Sequence, residues 1–302
     1  MQQNQNNDFY LKKYQKNLQE YKNIHEKNLN DVSIKQIDVI KKDDIKFSKE
    51  NIKFDVIYAR QDQLALQAFT DIARIYVETT GTEMSRFLDV GSRIYSMVLF
   101  ANVARCFYLE PRLGEKKGVC AQGIYADLNM TLVNGEAQKL PFEDETFPVI
   151  TSLHAIEHFG LGRYGDSIDP IGDINGLKEM YRVLEPGGYV ILSVPVTYAC
   201  CEKIVFDKHR LYSIETFDRI LKNIGFEINN NRALITAGQL SLSATGKEYA
   251  GGDCMRAIAF SDIEDTMAKI NDKNADFAYF IVAQKPMHHS AYSNYKWHAS
   301  RK

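Results

Sequence analysis

Short apolar runs alternate with amphipathic stretches over most of this chain, and that alternation constrains the fold more than any other feature. The runs typical of buried strands cover residues 86–90, 106–109, 149–153, 189–194, 226–228 and 277–283. Strands that are separated by helices usually pair in parallel, because the crossover helix returns the chain to the starting edge of the sheet. The sequence therefore predicts an α/β fold in which helices cover both faces of a mostly parallel sheet.

Helices are predicted between these strands, and each is bounded by a capping or breaking residue. They extend from Asp62 to Gly81, from Asp173 to Leu184 and from Ser213 to Gly225. Asp173 and Ser213 are expected to act as N-caps, since their side-chain oxygens can accept a hydrogen bond from an unpaired amide of the first turn. The segment Pro186-Gly187-Gly188 is expected to end the second helix.

The patterning divides the chain into three parts. Residues 1–60 are predicted to form a polar extension with one amphipathic helix around Tyr21, followed by a linker at 31–60 with room for one edge strand. Residues 61–286 contain the predicted sheet, and residues 287–302 form a polar tail. One large domain is expected, because 302 residues are too few for two domains of full size.

The charge balance bears on the partners of the protein. Lys and Arg number 37 against 39 for Asp and Glu, a net charge of −2 that provides no pull toward nucleic acid or an anionic membrane. The five cysteines lack CxxC spacing, the first residues lack an apolar signal stretch, and no apolar run reaches the roughly 20 residues of a membrane helix. We therefore expect a cytoplasmic protein with no membrane span and a small-molecule substrate, while a homo-oligomer stays open.

The first chemically informative segment lies where the run at 86–90 ends. Asp89 and Gly91 follow buried apolar residues at a point where the backbone must turn sharply and a ligand can come close. Glu110 ends the next strand, where an acid commonly accepts hydrogen bonds from a ribose diol. Both features suit a nucleoside. A nicotinamide dehydrogenase shares them, but it requires a glycine-rich phosphate turn that this chain lacks.

Three later segments extend this pattern: Asn134-Gly135-Glu136-Ala137, Leu140-Pro141-Phe142 and Arg182-Val183-Leu184-Glu185-Pro186-Gly187-Gly188. Over residues 86–195 the chain resembles the class I S-adenosylmethionine-dependent methyltransferases of the type 11 group. The resemblance implies methyl transfer from S-adenosylmethionine on a Rossmann-like, doubly wound, seven-stranded sheet, mostly parallel with the last strand antiparallel.

The same resemblance assigns a set of cofactor-binding residues. Asp89 and Gly91 would lie under the methionine part, Glu110 would hold the ribose hydroxyls, and Phe142 would close the crevice. The whole expected set shares a position after a predicted strand: Asp89, Gly91, Ser92, Glu110, Glu136 and Ala137, the last two beside the adenine.

The opening motif departs from the family pattern. The family carries Asp-x-Gly-x-Gly-x-Gly, whereas this chain continues after Gly91 with Ser92-Arg93-Ile94-Tyr95. Arg93 and Tyr95 thus carry side chains where the backbone of the family approaches the cofactor. Two explanations stay open: a loop with a different path, or a non-catalytic binding or scaffold protein on the same fold.

A narrower resemblance begins at Ser152. The segments 152–166, 169–173, 193–195 and 206–210 are similar to the DUF268 family of methyltransferase-like proteins. Such proteins often accompany genes of surface-glycan synthesis. The resemblance therefore implies a sugar or glycan-precursor hydroxyl as the methyl acceptor, an analogy that the residues alone do not prove.

This block contains the acid–base candidates. Methyl transfer to a hydroxyl requires that the acceptor is aligned and loses its proton, and imidazole suits that proton because its ordinary pKa lies near neutrality. His158 is the first candidate for the base, with His154 and His209 next. Asp166 is expected to orient the imidazole or to accept the proton itself.

Substrate contacts and metal alternatives come from the same block. Arg163 and Tyr164 are expected to hold the acceptor. His154 and His158 also have an interpretation without chemistry, as side chains that pack and cap the turn after the strand. The pattern His-x-x-Glu-His at 154–158 further fits zinc peptidases, and a divalent ion held by a histidine with an acid at 166, 169 or 173 is a looser alternative; neither metal site is expected.

Overall fold

A computed structural model describes residues 15–24, 38–40, 52–111, 126–197, 202–206, 208–236, 256–259 and 277–287. Its helices are α1 (Ile52–Thr80), α2 (Ile94–Phe100), α3 (Gly172–Val183) and α4 (Ile214–Ile224), with a further helical segment at 15–24. Its strands are β1 (Asp38–Ile40), β2 (Arg86–Val90), β3 (Arg105–Leu109), β4 (Met130–Val133), β5 (Phe147–Leu153), β6 (Leu184–Val196), β7 (Lys203–Val205), β8 (His209–Leu211), β9 (Glu227–Thr236), β10 (Arg256–Ala259) and β11 (Phe277–Gln284).

Of the described strands, eight form the main sheet, in the order β10-β9-β11-β6-β5-β2-β3-β4. The strands from β4 to β6 in this order pair in parallel, and β11 lies antiparallel between β6 and β9. This confirms the predicted doubly wound fold with an antiparallel last strand, although β10 makes eight strands instead of seven. The chain proceeds outward from β2 through β3 and β4 and then returns to β5 on the other side of β2. A crevice is therefore expected at the carboxyl ends of β2 and β5.

Apolar side chains fill both faces of the sheet, as predicted. On one face α3 and α4 contribute Leu177 and Phe217 to the core. On the other, α1 and α2 contribute Phe69 and Phe100, whose rings lie with centroids 5.1 Å apart, while Phe69 also contacts Phe87 of β2 at 4.7 Å. Full burial of each such ring stabilises the fold by about 1.5–3 kcal/mol. Packing on both sides fixes β2 and its neighbours, and with them the edge where the crevice lies.

Helix α1 is longer than the sequence predicts. It begins at Ile52 rather than at Asp62, so the end of the predicted linker at 31–60 is helical, and residues 38–40 form a strand. Although α1 has 29 residues, no helix in the described parts of the chain is both long and apolar enough to cross a membrane. The consequence for the site is that Tyr58, in the additional turns of α1, lies beside His154, which follows β5.

The predicted N-cap of α3 is wrong. The cap position is Ile171, which makes no side-chain cap, and Asp173 lies inside the first turn. Asp173 instead accepts a hydrogen bond from the Tyr212 hydroxyl at 2.9 Å, and its carboxylate lies 3.6 Å from Nε of Arg210. A buried carboxylate requires such partners, and this tertiary requirement overrides the local preference for capping. The segment 186–188 does not stop the helix either, because it lies within β6.

The ends of α4 follow the prediction. Oγ of Ser213 accepts a hydrogen bond from the Thr216 amide at 3.1 Å, which satisfies an amide of the first turn. Gly225 ends the helix in the left-handed conformation, with a φ of 117°. A residue with a side chain is disfavoured there, so the glycine is the stop signal that the sequence indicates.

A small second sheet brings a distant segment to the crevice. Strand β1 pairs with β7 in parallel, and β7 pairs with β8 in antiparallel. From β8, the buried guanidinium of Arg210 donates hydrogen bonds to the carbonyl oxygens of Phe159 at 2.6 Å and Pro170 at 3.1 Å. The residues around 208–210 are thereby held against the loop that follows β5.

Candidate functional site

The loop after β2 is organised by Asp89, whose carboxylate is fully buried. It accepts hydrogen bonds from the amide and hydroxyl of Ser92 at 3.0 and 2.5 Å and from the hydroxyl of Thr151 at 2.6 Å. Burial raises the pKa of Asp89 to about 7, although these three hydrogen bonds favour the charged form. Asp89 therefore fixes the path of the loop from beneath.

Gly91 is required by the shape of this loop. Its φ is 79°, in the left-handed region, and a Cβ added to it would lie 3.2 Å from Cβ of Ala155. Ser92, next in the chain, accepts a hydrogen bond from the Leu153 amide on its hydroxyl at 2.9 Å and from the Tyr108 hydroxyl on its carbonyl at 2.6 Å. The loop is thus tied to β5 and β3, the two neighbours of β2.

Arg93 occupies the position of the second family glycine without backbone strain. Its φ and ψ of −67° and 124° are extended, which any residue adopts. Its guanidinium lies over the ring of Tyr58 in α1, with Cζ 3.2 Å from the ring centroid, and donates a hydrogen bond to the hydroxyl of Tyr95. The side chains that replace the glycines therefore bind one another and helix α1.

The predicted cofactor residues follow three adjacent parallel strands. Asp89 and Gly91 end β2, Glu110 follows β3, and Glu136 and Ala137 follow β4, so all lie at one edge of the sheet. Glu110 is half-buried there, and Glu136 accepts a hydrogen bond from the Ser167 hydroxyl at 3.2 Å. This contact connects the predicted adenine side of the crevice with the loop after β5.

Phe142, expected to close the crevice, makes core contacts instead. Its ring centroid lies 4.8 Å from that of Phe147 in β5 and 6.1 Å from that of Phe107 in β3. These rings belong to the apolar layer on one face of the sheet. The Leu-Pro-Phe segment consequently stabilises the fold near the crevice.

His154 is held between α1 and β6. It follows β5 in the left-handed conformation, with a φ of 51°. Its Nδ1 forms a hydrogen bond with the side-chain carbonyl of Gln61 and lies 3.0 Å from Oγ of Ser193, while its ring meets the edge of the Tyr58 ring at 5.0 Å. Burial lowers the pKa of His154 to about 3. These contacts favour the packing interpretation for this residue.

The contacts of His158 define which of its two ring nitrogens carries the hydrogen. Its Nδ1 forms a hydrogen bond with the carbonyl oxygen of Lys208, and a carbonyl can only accept, so Nδ1 carries the hydrogen. Burial, assisted by the charge of Arg163, lowers the pKa of His158 to about 4. The imidazole is therefore neutral at neutral pH, with its lone pair on Nε2. The side chain of His158 remains 15% exposed.

Glu157 is a buried acid next to this histidine, and the sequence indicates a role for it only within the metal pattern. The residue is 2% exposed, and its Oε1 lies 3.8 Å from Nε2 of His158. Its Oε2 is buried without a hydrogen-bond partner among the described residues. Burial raises the pKa of Glu157 to about 8. The acidic residue beside a candidate base was visible in the sequence, but its burial was not.

Asp166 serves the backbone of its own loop. Its two carboxylate oxygens accept hydrogen bonds from the amides of Gly160 at 2.8 Å and Tyr164 at 3.1 Å. The expected partnership with an imidazole is absent from the described contacts of this side chain. Asp166 fixes a turn at Gly160, whose left-handed φ of 75° leaves no room for a Cβ beside Asp169.

The remaining candidates surround His158. The Tyr164 ring lies edge-on to the His158 ring with centroids 5.6 Å apart, and the His209 ring lies 6.5 Å away. The exposed guanidinium of Arg163 donates a hydrogen bond to the Lys208 carbonyl at 3.1 Å. Burial lowers the pKa of His209 to about 3, and nearby lysines contribute to that shift. The structure thus brings Arg163, Tyr164 and His209 together around His158, whereas Asp166 and His154 have other contacts.

The metal patterns are not matched by this geometry. No three His, Cys, Asp or Glu side chains in the described ranges form a group able to hold a metal ion. Residues 156–158 form a single 3-10 turn after the left-handed His154, so the two histidines do not share the helical face that the peptidase pattern needs. The carboxylate of Asp169 accepts hydrogen bonds from the Ile171 amide and the Asn175 side chain.

Comparisons with known proteins match the chain in parts. A family model described as "Caenorhabditis protein of unknown function, DUF268" matches residues 129–232, which confirms the DUF268 resemblance over that range. Demethylmenaquinone methyltransferases of Staphylococcus epidermidis and Staphylococcus aureus (strain JH9) are 41% and 43% identical over 63 residues, 21% of this chain. The matched segment covers 22% of the length of each of these relatives.

Solved structures also resemble the chain at low sequence identity. The YcgJ protein from Bacillus subtilis is 14% identical, with a TM-score of 0.45 over 72% of this chain and 100% of that one. Phosphoethanolamine N-methyltransferase 2 of Haemonchus contortus, in complex with S-adenosyl-L-methionine, is 15% identical, with a TM-score of 0.42 over 68% of this chain and 49% of that one.

Proposed function

We propose that this chain is an S-adenosylmethionine-dependent methyltransferase. The observation that carries the proposal is the convergence of its motif residues, which follow β2, β3 and β4 at one edge of the sheet. That edge contains the switch point between β2 and β5, where open α/β sheets bind their ligands. The matched segment of the demethylmenaquinone methyltransferases is consistent with the same activity.

The residues at this edge suit the adenosine and methionine parts of the cofactor. Gly91 keeps the loop close to Ala155 without a side chain, and Asp89 holds that loop from below. The half-buried carboxylate of Glu110 follows β3, where it can accept hydrogen bonds from two ribose hydroxyls. When bound, S-adenosylmethionine supplies a methyl group on a positively charged sulfur that a nucleophile can attack in line.

His158 is the candidate general base. The Lys208 carbonyl fixes the hydrogen on Nδ1, which leaves the lone pair of Nε2 for the proton of an acceptor hydroxyl. With S-adenosylmethionine bound, Nε2 would take this proton as the acceptor oxygen bonds to the methyl carbon and the carbon–sulfur bond breaks. Tyr164 and His209, whose rings surround His158, restrict the directions from which an acceptor can approach.

The acceptor is proposed to be a hydroxyl of a sugar or a surface-glycan precursor that carries phosphate. Arg163, Lys208 and Lys203 make the surroundings of His158 and His209 positive and contribute to the lowered pKa values of these histidines. Phosphate groups are recognised by such cations. A nucleotide sugar contains both the hydroxyl and the phosphates, which agrees with the association of DUF268 proteins with glycan synthesis.

A non-catalytic protein that binds S-adenosylmethionine is the second candidate. The observation that favours it is the side chain of Arg93, stacked on Tyr58 at the position of a family glycine. This protein would retain the crevice and the ribose carboxylate without transferring a methyl group. The two candidates differ in turnover and agree in binding.

The test combines calorimetric titration of S-adenosylmethionine with mass-spectrometric detection of methyl transfer to a panel of nucleotide sugars. Glu110→Ala should weaken cofactor binding at least tenfold, because hydrogen bonds to a charged group are lost, whereas the exposed Glu143→Ala should not. His158→Ala should leave binding unchanged and lower kcat by about 10²–10⁴. Unchanged turnover in His158→Ala would reject the base, and binding without transfer to any panel member would favour the second candidate.

A further inference from the structure

We infer that Glu157 and His158 form a coupled pair that shares one proton, in which Glu157 is the positioning residue that sets the strength of His158 as a base. The effect on turnover rests on the proposed function. The coupling itself is a property of the folded chain and can be measured without cofactor or acceptor.

The geometry allows only one ring nitrogen to take part. Nδ1 of His158 donates to the Lys208 carbonyl, so the proton that comes and goes must be on Nε2. Nε2 lies 3.8 Å from Oε1 of Glu157, and the side chain of Glu157 is 3% exposed. With little water between them, each group responds strongly to the charge of the other.

Glu157 differs from the other carboxylates of the same region in having an unsatisfied oxygen. Asp166 accepts hydrogen bonds from two amides, Asp169 from an amide and the Asn175 side chain, and Asp173 from the Tyr212 hydroxyl. Oε2 of Glu157 has no such partner among the described residues. A buried carboxylate is costly in this state, and a proton is the simplest remedy. Glu157 is thus suited to hold a proton rather than to support the loop.

Charged and titratable groups face Glu157 from several elements. Burial raises the pKa of Glu157 to about 8, although a hydrogen bond from its own backbone amide and the charges of Arg163 and Arg210 lower it. Tyr58 of α1 and Tyr212 beyond β8 are the phenols whose own pKa values respond to Glu157. Burial lowers the pKa of His158 to about 4, and the charges of Arg163 and Arg210 contribute, while the hydrogen bond to the Lys208 carbonyl opposes the shift. At neutral pH the pair therefore holds one exchangeable proton, mostly on Glu157.

Ionisation of Glu157 changes what His158 can do. A carboxylate 3.8 Å from Nε2 favours the imidazolium and so strengthens the neutral imidazole as a base. With S-adenosylmethionine bound, the acceptor oxygen would bond to the methyl carbon as the carbon–sulfur bond breaks and its electron pair stays on sulfur. The O–H bond of the acceptor would break with its electron pair left on oxygen, and the proton would form an N–H bond at Nε2. The resulting imidazolium faces the negative carboxylate until the proton leaves to solvent. Turnover should therefore increase with pH as the pair loses its shared proton.

The test is a titration of ¹⁵N-labelled histidine by NMR in the full chain without ligands, on the wild type and on Glu157→Gln. The wild-type His158 ring should shift in a step near pH 8, in response to Glu157, and the step should be lost in Glu157→Gln. Glu143→Gln, which removes an exposed carboxyl outside this turn, should leave the step in place. An unchanged step in Glu157→Gln would overturn the inference. If that variant does not fold, Glu157→Asp should retain a step at a changed pH, and its absence would count against coupling.

The kinetic arm separates this inference from the proposed function. Wild-type turnover should increase through the step by about tenfold or more and then level off, whereas Glu157→Gln should be flat between pH 6 and 9, at about the rate that the wild type shows below the step. A merely structural role would lower turnover without flattening the profile. If the NMR titration shows the coupled step but the chain transfers no methyl group, the proposed function is rejected and the coupled pair is retained. If the wild type and the variant are both active and have the same pH profile, the coupled pair is rejected and the proposed function is retained.

Discussion

The guanidinium of Arg93 lies over the ring of Tyr58, with Cζ 3.2 Å from the ring centroid. Tyr58 belongs to α1, and its ring also meets the edge of His154 at 5.0 Å. The helix therefore contacts the loop after β2 and the loop after β5, which are the two sides of the switch point. Arg93, which stands where the family motif has a glycine, thus has a partner outside the sheet, in helix α1.

Replacement of Tyr58 by Leu should weaken the binding of S-adenosylmethionine about tenfold. Without the ring, the Arg93 guanidinium is released toward the crevice, where its charge repels the positive sulfur; a cation–π contact of about 0.5–2 kcal/mol sets the scale. Tyr58→Phe retains the ring and should bind within about twofold of the wild type. Calorimetric titration measures both, and equal affinities for Tyr58→Leu and the wild type would show that the stack has no influence on binding.

The strand pattern was predicted where apolar runs are sharply bounded. Strand β2 occupies the predicted residues 86–90, because a buried run there ends in Asp89 and a glycine turn. Strand β4 was missed because its apolar stretch is only four residues long and contains Thr131, and only Met130 among the four is buried. Among the described strands, β10 lies at the far edge of the sheet and pairs with β9 alone. Edge strands depend on a neighbour more than on their own composition.

The residue types of the site could be predicted from the sequence, whereas many of the contacts between them could not. His158 was a candidate because a histidine follows a strand at the ligand edge, and that signal is local. Its hydrogen-bond partner Lys208 lies 50 residues away in the chain, and the buried state of Glu157 depends on packing from several elements. Asp166 was expected to orient a histidine, but its carboxylate instead accepts a hydrogen bond from the Gly160 amide in its own loop. Contacts that depend on tertiary packing could not be derived from spacing.

Replacement of Arg163 by Ala should increase KM for a phosphorylated acceptor about tenfold to a hundredfold, with a smaller change in kcat. The exposed guanidinium beside His158 provides charged hydrogen bonds to phosphate, which contribute about 1.5–3 kcal/mol each. Arg219→Ala, an exposed arginine on α4, is the matched control and should leave KM unchanged. Steady-state kinetics at two salt concentrations provide the measurement. An unchanged KM in Arg163→Ala would remove this residue from the acceptor site.

Replacement of Arg210 by Met should reduce the free energy of unfolding by about 3–5 kcal/mol. The variant leaves the carbonyls of Phe159 and Pro170 without their donor and Asp173 without its buried positive partner. Urea unfolding followed by circular dichroism measures the loss, with Arg219→Met as the control. A second replacement, Asp173→Asn, should recover part of it, because the uncompensated carboxylate is gone. Equal losses in Arg210→Met and Arg219→Met would contradict the structural role assigned to Arg210.

The contribution of His154 to the stability of the protein should decrease as the pH falls below about 6.5. Burial lowers the pKa of His154 from 6.5 to about 3. Between these two pH values the unfolded chain therefore binds a proton at this residue and the folded chain does not. The contribution is complete above pH 6.5 and is lost toward pH 3; between pH 7 and 5 it amounts to about 2 kcal/mol. His154→Asn removes the titration while Asn tolerates the left-handed φ of 51° and can still donate to Gln61. Urea unfolding at pH 7 and pH 5 should therefore show a smaller acid loss in His154→Asn than in the wild type. An identical loss in both proteins would mean that the buried imidazole is not the source.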